Sequence, residues 1–419
     1  GREAVRVLAP LPRPIVSPLR RRFDAEGEPN ANYIGGGIVF ADNTTFFINS
    51  IVTSFHYTSS DAIVLSTLQY GMTSKLCQRI SATPDGPTII TVEFSHLLAG
   101  DTDFSAASPA DLEALDAALA DVYEKAVTDA KERGLNVRLV IFEQTVSMPA
   151  CLLPVGRVAE AMKEAFPEVF FCVDAAHALG ALDIDLSAPE MRQVDAFISN
   201  SHKWLYAARG CALMYCVHDG LLPAITSTFT RLLPEPHAAS GYRLPHNFEY
   251  HGTRDNTAIL SLAGALRFRE AAGGHKLVHT YQRALAVFAG AYLSKLWGTR
   301  SLGRLCCLTS MANVVLPGVK GEEAARSLHG WLLDHHSVYI CPPTSFQGQW
   351  ITRVSCPVYR TKEDILMLGD SVLEWASQPT PVRSAAKGTA GEGHPAFSCP
   401  RESALAHAEE TVGAALQAI

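Results

Sequence analysis

Two short segments carry the residue types of a covalent carbonyl chemistry. Lys203 lies in Ser199-Asn200-Ser201-His202-Lys203-Trp204, and Asp174 lies about 30 residues earlier, in Val173-Asp174-Ala175-Ala176-His177. Each follows an apolar run that reads as a buried strand, Val169 to Val173 for the aspartate and Ala196 to Ile198 for the lysine. In an α/β fold, side chains at the carboxyl ends of parallel strands converge on one crevice. A lysine amine there can form a Schiff base with an aldehyde, and a buried carboxylate can hold a pyridinium nitrogen protonated. Together they suit pyridoxal phosphate. Singly, such a lysine reads equally well as a solvated loop residue, and such an aspartate as a helix N-cap. The pair at this spacing carries the reading.

Further residues fall where such a cofactor needs contacts. Asn43, Thr44 and Thr45 open a helical pattern, and a helix amino terminus with added hydroxyls suits a phosphate. Plain N-capping is the alternative for all three. Tyr70 follows the apolar run 62–65 and could stack on a flat ring, or simply fill a core. Ser147, after the run 137–142, could reach the ring's phenolic oxygen or the substrate, or serve a turn. His177, one helical turn beyond Asp174, can also reach that oxygen. Asn200 and His202 can donate to the phosphate, as can Thr253 in Gly252-Thr253-Arg254-Asp255. Arg353, on a strand-like stretch, could clamp a substrate carboxylate through two parallel hydrogen bonds. The catalytic set read from the residues is Lys203, Asp174 and His177.

The elements that must position these groups follow from the hydrophobic pattern. Residues 1–38, rich in arginine and proline, read as an amino-terminal arm, and a start at Gly1 rather than Met is what an incomplete arm would show. Residues 39–258 alternate short apolar runs with helical patterns, the mark of a mostly parallel sheet in a large cofactor-binding domain. Strands are expected over 62–65, 88–92, 137–142, 169–173, 196–198 and 211–215, and helices over 45–55, 109–133, 156–165 and 258–272. Residues 259–377 change to a linking helix and a smaller α+β domain, with strands near 312–316, 338–340 and 351–355. Residues 378–419 open on Ser, Pro, Gly and Ala, then carry one short helical pattern, and read for the most part as a disordered tail.

Composition bounds the partners. The chain has 419 residues, 47% hydrophobic and 18% charged, with a net charge of −7. That is a globular profile with no basic surplus to recruit nucleic acid or an anionic membrane. No apolar run is long enough to span a bilayer. The ten cysteines are scattered without a CxxC pair, which reads as reduced thiols in a cytoplasmic protein. A nicotinamide cofactor fits poorly, because Gly35-Gly36-Gly37 precedes a strand and no GxGxxG opens a helix.

In this order, Asp174-Ala-Ala-His177, Asn200-Ser-His-Lys203-Trp204, Gly252-Thr253, Arg353-Val-Ser355 and Tyr359-Arg-Thr-Lys-Glu-Asp364 resemble the class V aminotransferase family of fold-type I pyridoxal-phosphate enzymes, over about residues 39–377. Asn247 to Thr253, and Ile198 to Trp204 beside Arg209-Gly210-Cys211, resemble its isopenicillin N epimerase-like branch. Within that branch they are most similar to the hercynylcysteine sulfoxide lyases, which cleave a C–S bond in ergothioneine synthesis. The resemblance implies an α/β fold with a mostly parallel seven-stranded sheet and a smaller carboxyl-terminal α+β domain. It implies Lys203 as the covalent anchor, Asp174 at the pyridinium nitrogen, and His177 and Ser147 at the phenolic oxygen. Tyr70 would stack on the ring and line the substrate site. Asn43, Thr44, Thr45, Asn200 and His202 would approach the phosphate, and Arg353 would hold the substrate carboxylate. Thr253 would reach the phosphate of a neighbouring subunit, which implies a homodimer with shared sites.

The chain departs from the branch in lacking an opening segment like Leu-Asn-His-Gly-Ser-Phe-Gly, and Cys341 is followed by Pro342-Pro343 where a desulfurase carries its mobile cysteine. The expected function is a pyridoxal-phosphate enzyme that abstracts the α-proton of an amino acid. A C–S lyase leads, with an epimerase or aminotransferase as alternatives. A dimeric scaffold that keeps the fold is the reading from another class.

Overall fold

The computed structural model describes residues 37–98, 109–186, 188–191, 193–216, 248, 252–302, 309–378 and 399–417. Residues 1–36 of the arm expected over 1–38, and most of the Asn247 to Thr253 motif, lie outside the described residues, and Ile38 already belongs to the first strand. Contacts divide the chain into two compact units: residues 1–97, 113–146 and 153–275 in the first, and 98–112, 147–152 and 276–419 in the second.

In the first unit the strands are β1 (Ile38–Ala41), β2 (Asp61–Ser66), β3 (Thr88–Val92), β4 (Asn136–Glu143), β7 (Phe170–Asp174), β8 (Ala196–Asn200) and β9 (Ala212–Cys216); between β4 and β7 in the chain come the short strands β5 (Thr145–Ser147) and β6 (Ala150–Leu152), of which residues 147–152 fall in the second unit. The seven longer strands form one sheet in the order β1-β9-β8-β7-β4-β2-β3. β3, β2, β4, β7 and β8 run parallel to their neighbours, and β9 and β1 join antiparallel at one edge. This is the mostly parallel seven-stranded sheet expected from the sequence. All five residues of β7, β8 and β9 are buried, as continuous apolar runs in a covered sheet should be.

The helices of this unit are α1 (Thr44–Ser54), α2 (Gly71–Ser81), α3 (Pro109–Glu132), α4 (Gly156–Ala165) and α5 (Leu262–Ala271). α1 starts where Asn43 accepts a hydrogen bond from the Phe46 amide at 2.9 Å. Its Phe47, Ile48 and Ile51 pack with Ile63 of β2, Ile198 of β8 and Met214 of β9 in one core cluster. Ser50 and Ser54 are tolerated in this helix because each hydroxyl donates to the carbonyl four residues back. The single helix expected over 258–272 is divided at Ser261 into a short turn, Thr257–Leu260, and α5. The Ser261 hydroxyl accepts from the Ala208 amide at 2.8 Å and donates to the Ala258 carbonyl, so it serves the neighbouring loop.

The second unit carries β10 (Ser301–Leu302), β11 (Met311–Val315), β12 (Thr344–Phe346) and β13 (Gln349–Ser355) in an antiparallel sheet ordered β10-β11-β13-β12. Its helices are α6 (Gly274–Trp297), α7 (Glu322–His336), α8 (Lys362–Ser377) and α9 (Arg401–Gln417). Gly369 lets α8 approach α6 closely. A Cβ there would lie 2.8 Å from the Leu296 side chain, and the Trp297 indole donates to the Gly369 carbonyl at 3.1 Å. The Thr361-Lys-Glu-Asp364 part of the family-like motif is a capping box that starts α8.

Two expectations are corrected in this unit. Val338 to Ile340 is not a strand. Ser337 adopts a left-handed conformation (φ 54°), and the amides of Ser337 and Val338 return to the carbonyls of Leu333 and Leu332, closing α7. Ile340 then drops into the core as a plug. The short helix expected in the 378–419 tail is 17 residues long: α9 occupies 401–417 and buries Ala404 and Ala408, four residues apart on one face, in the core of this unit. Residues 379–398 lie outside the described set.

Candidate active site

The carboxyl ends of β2, β4, β7 and β8 deliver Gln69 and Tyr70, Glu143, Asp174 and Lys203 to one edge of the sheet in the first unit. Asp174 is buried, and its Oδ1 accepts from the Ala176 amide at 3.1 Å. Burial raises its carboxyl to about 6, against the opposing pull of the Lys203 charge and that amide. Lys203 Nζ lies 3.0 Å from His177 Nε2, and the Trp204 indole donates to His177 Nδ1 at 3.2 Å. An indole N–H can only donate, so His177 Nδ1 accepts from Trp204 and Nε2 is the ring nitrogen turned to Lys203.

The Lys203 loop is held from behind. The Trp204 carbonyl accepts from Arg269 Nη1 at 2.8 Å, and Arg269 Nη2 lies 2.9 Å from His275 Nδ1. Burial lowers the Arg269 guanidinium from its usual value. Tyr206, in the left-handed region at φ 68°, lies under the Arg269 guanidinium at 5.7 Å. Gly180 (φ 89°) makes this packing possible, because a Cβ there would sit 2.4 Å from the Trp204 carbonyl oxygen. We expect Gly180→Ala to destabilise the protein by about 1–3 kcal/mol through backbone strain and to displace the lysine loop. Thermal melting together with cofactor uptake checks this; a variant unchanged in both would contradict it.

The residues expected at the phosphate divide into two groups. Asn200 and Thr44 are both buried and satisfy each other. The Thr44 amide donates to Asn200 Oδ1 at 3.1 Å, and Asn200 Nδ2 donates to Thr44 Oγ1 at 3.2 Å. This latch ties the start of α1 to the end of β8. Asn43 is spent on capping α1, and Thr45 is half-buried in its first turn. His202 Nδ1 lies 2.8 Å from the Cys211 carbonyl and 3.2 Å from its amide, which orients the ring and leaves Nε2 as the nitrogen a ligand can use. Burial lowers the His202 imidazole from its usual value. Tyr70 is 46% exposed at the start of α2, and Thr253 is exposed beside Gly252 (φ 86°).

Ser147 and Arg353 belong to the second unit, where they meet. Arg353 Nη1 donates to the Ser147 carbonyl at 2.7 Å, and Arg353 Nε is buried without a hydrogen-bond partner. Asn313 braces the same segment by bonding both the amide and the carbonyl of Ala150, at 2.7 and 2.8 Å.

The sequence reading did not single out Glu143. It is 5% exposed, and its Oε1 accepts from the Tyr70 amide at 3.0 Å. Burial pushes its carboxyl well above the usual range, and the neighbouring Asp174 pushes it further. Glu143 Oε2, both amide atoms of Gln69 and the hydroxyls of Ser66 and Thr145 are buried with no protein partner. So many unsatisfied polar atoms at and just after the carboxyl ends of β2 and β4 call for a polar ligand. Pyridoxal phosphate fits the set: an amine for its aldehyde, a buried carboxylate for its ring nitrogen, and donors and acceptors for its remaining oxygens. Among the described residues, no group of three or more His, Cys, Asp or Glu side chains could hold a metal ion, and no helix is long and apolar enough to cross a membrane.

Residues 123–368 match the family described as aminotransferase class-V. The chain is 29% identical over 276 residues to a probable chloroplastic L-cysteine desulfhydrase of Arabidopsis thaliana, covering 60% of this chain and 54% of that protein. It is 25% identical over 361 residues to the isopenicillin N epimerase of Streptomyces clavuligerus, covering 82% of each. The chain spans little more than half the length of the plant desulfhydrases it matches, 54% and 57%. Among solved structures, the cystine C–S lyase C-DES in complex with its product cysteine persulfide superposes with a TM-score of 0.61 at 18% identity, covering 84% of each chain. At that identity the likeness shows the fold.

Proposed function

The chain belongs to the class V aminotransferase family, and from that premise we propose that it is a pyridoxal-phosphate-dependent enzyme that cleaves the carbon–sulfur bond of a sulfur-containing amino acid. The observation that carries the proposal is the Lys203 amine, held 3.0 Å from His177 Nε2 beside the buried Asp174. The similarity to proteins named L-cysteine desulfhydrases supports the lyase reading within the family. The hercynylcysteine sulfoxide lyase type is its finer form, supported by the motif resemblance around Lys203 and Gly252-Thr253.

When bound, pyridoxal phosphate supplies a conjugated ring that takes up the electron pair left at the substrate's α-carbon. The protein's residues do the rest. Lys203 Nζ anchors the cofactor and, once displaced by the substrate amine, moves the α-proton. Asp174 holds the proton on the ring nitrogen. His177 Nε2 orients the lysine, and the Trp204 indole holds His177 through Nδ1. Arg353 is proposed to pair with the substrate carboxylate, Ser147 and Tyr70 to line the ring, and His202 to meet the phosphate. Thr253 is proposed to reach a second copy's site in a homodimer. None of the eight described cysteines forms a disulfide, which supports a reducing compartment such as the cytoplasm.

A second reading is an epimerase, favoured by the match of 82% of both chains to the Streptomyces enzyme. One experiment separates the two. The protein loaded with pyridoxal phosphate is incubated in D₂O with L-cysteine, cystine and S-substituted cysteine sulfoxides. The lyase reading expects ammonia and a keto acid together with the sulfur leaving group. Recovery of an intact substrate with inverted configuration and deuterium at the α-carbon would replace it with the epimerase.

A further inference from the structure

Glu143 ends β4 in direct register with Asp174 at the end of β7. Paired residues on adjacent parallel strands send their side chains to the same face. Two buried carboxyl groups therefore stand side by side, 5% and 4% exposed. Like charges this close in a poorly solvated site cannot both ionise, so the pair retains a proton. The surroundings decide which group holds it. Asp174 Oδ1 accepts from the Ala176 amide, and Asp174 feels the Lys203 charge more directly. Glu143 has one anchored oxygen, accepting from the Tyr70 amide at 3.0 Å, and one buried oxygen with no partner. Lys203 beyond β8, Asp174 on β7 and the buried Tyr123 hydroxyl of α3 are the ionisable groups that face it.

We propose that Glu143 is a positioning residue that stays a neutral carboxylic acid, pinning the start of α2 through Oε1 and turning its Oε2 proton into the crevice as a hydrogen-bond donor, so that Asp174 alone carries the negative charge. Oε1, the carbonyl oxygen, receives the Tyr70 amide. Oε2, the hydroxyl, is left to donate to an acceptor oxygen of whatever occupies the crevice. The inference concerns the protein's own pair of acids and does not depend on the identity of the bound cofactor.

The assignment has a stability signature. A group that keeps its proton when folded and loses it when unfolded makes the unfolded state bind fewer protons above the ordinary value of 4.5. Stability then falls as pH rises from that value until the folded group itself ionises. Glu143→Gln keeps an acceptor for the Tyr70 amide and a donor at the Oε2 position, and removes the titration. The full chain and this variant should melt together near pH 4.5. As pH is raised to 8 the variant should melt progressively higher, by a few degrees, both without and with added pyridoxal phosphate. Glu143→Ala, which removes the Tyr70 acceptor as well, should melt below Glu143→Gln at every pH. A glutamine variant that melts lower than the parent at pH 8 would show that Glu143 works as an anion, and would overturn the proposal. Equal melting of the alanine and glutamine variants would overturn the pinning of Tyr70. Neither result bears on whether Lys203 anchors a cofactor, which a spectrum reads separately.

Discussion

Lys203→Ala is expected to lower turnover by about 10⁴-fold or more, because this one side chain is proposed to perform two steps, covalent anchoring and proton transfer at the α-carbon. The fold should survive. Lys203 is only part-buried, and its loop is held independently by the buried Trp204 and Leu205 and by the Arg269 bond to the Trp204 carbonyl. Melting close to the parent's, with catalysis gone, is the expected pair of results. The variant should still take up pyridoxal phosphate, but borohydride should no longer fix it to the protein. Steady-state assay and mass spectrometry of the reduced protein check both statements. Turnover at an undiminished rate would remove Lys203 from the centre of the account.

Asp174→Asn should cost about 10²–10³-fold in kcat, the scale seen when a single preorganised electrostatic partner is lost from a closed site. Asparagine keeps an oxygen for the Ala176 amide, so the local backbone should hold. The charge proposed to keep the ring nitrogen protonated is what disappears, so the rate should fall much further than cofactor affinity does. The pH dependence gives a second readout. Burial raises the Asp174 carboxyl to about 6 in the protein alone. Below that value it is protonated and offers the ring nitrogen no charge, and above it the charge is present. Cofactor affinity should therefore rise as pH increases through about 6 in the parent and stay flat in the variant. Parallel curves for the two proteins would count against the pairing.

The structure explains why some of this was legible in the sequence. The strands ending at Asp174 and Asn200 are unbroken apolar runs, so their exits, and the polar residues at those exits, could be placed from the pattern alone. The cap at Asn43 and the capping box at Thr361 are local chemistry of the same legible kind. Glu143 was not legible. A glutamate at the end of an apolar run looks like an ordinary boundary, and only the register of β4 against β7 reveals that it faces Asp174. The mutual bonding of Thr44 and Asn200, 156 positions apart, is equally invisible locally, and it turns two expected phosphate contacts into a latch between α1 and β8. Val338 to Ile340 misled because a β-branched stretch directly after a helix can serve as its hydrophobic stop. α9 read only as a short helix because its packing face is made of alanines, which carry little hydrophobic signal while still allowing close approach.

The central claim is that Lys203 is the covalent anchor of pyridoxal phosphate. Its most direct test is the visible absorption spectrum of the protein incubated with the cofactor, before and after borohydride reduction, followed by peptide mapping. The account predicts a yellow band that reduction bleaches, with the cofactor's mass fixed on the peptide containing His202-Lys203-Trp204. A folded protein that gains no band, or that carries the label on another lysine, would contradict it and leave the fold as a scaffold without this chemistry.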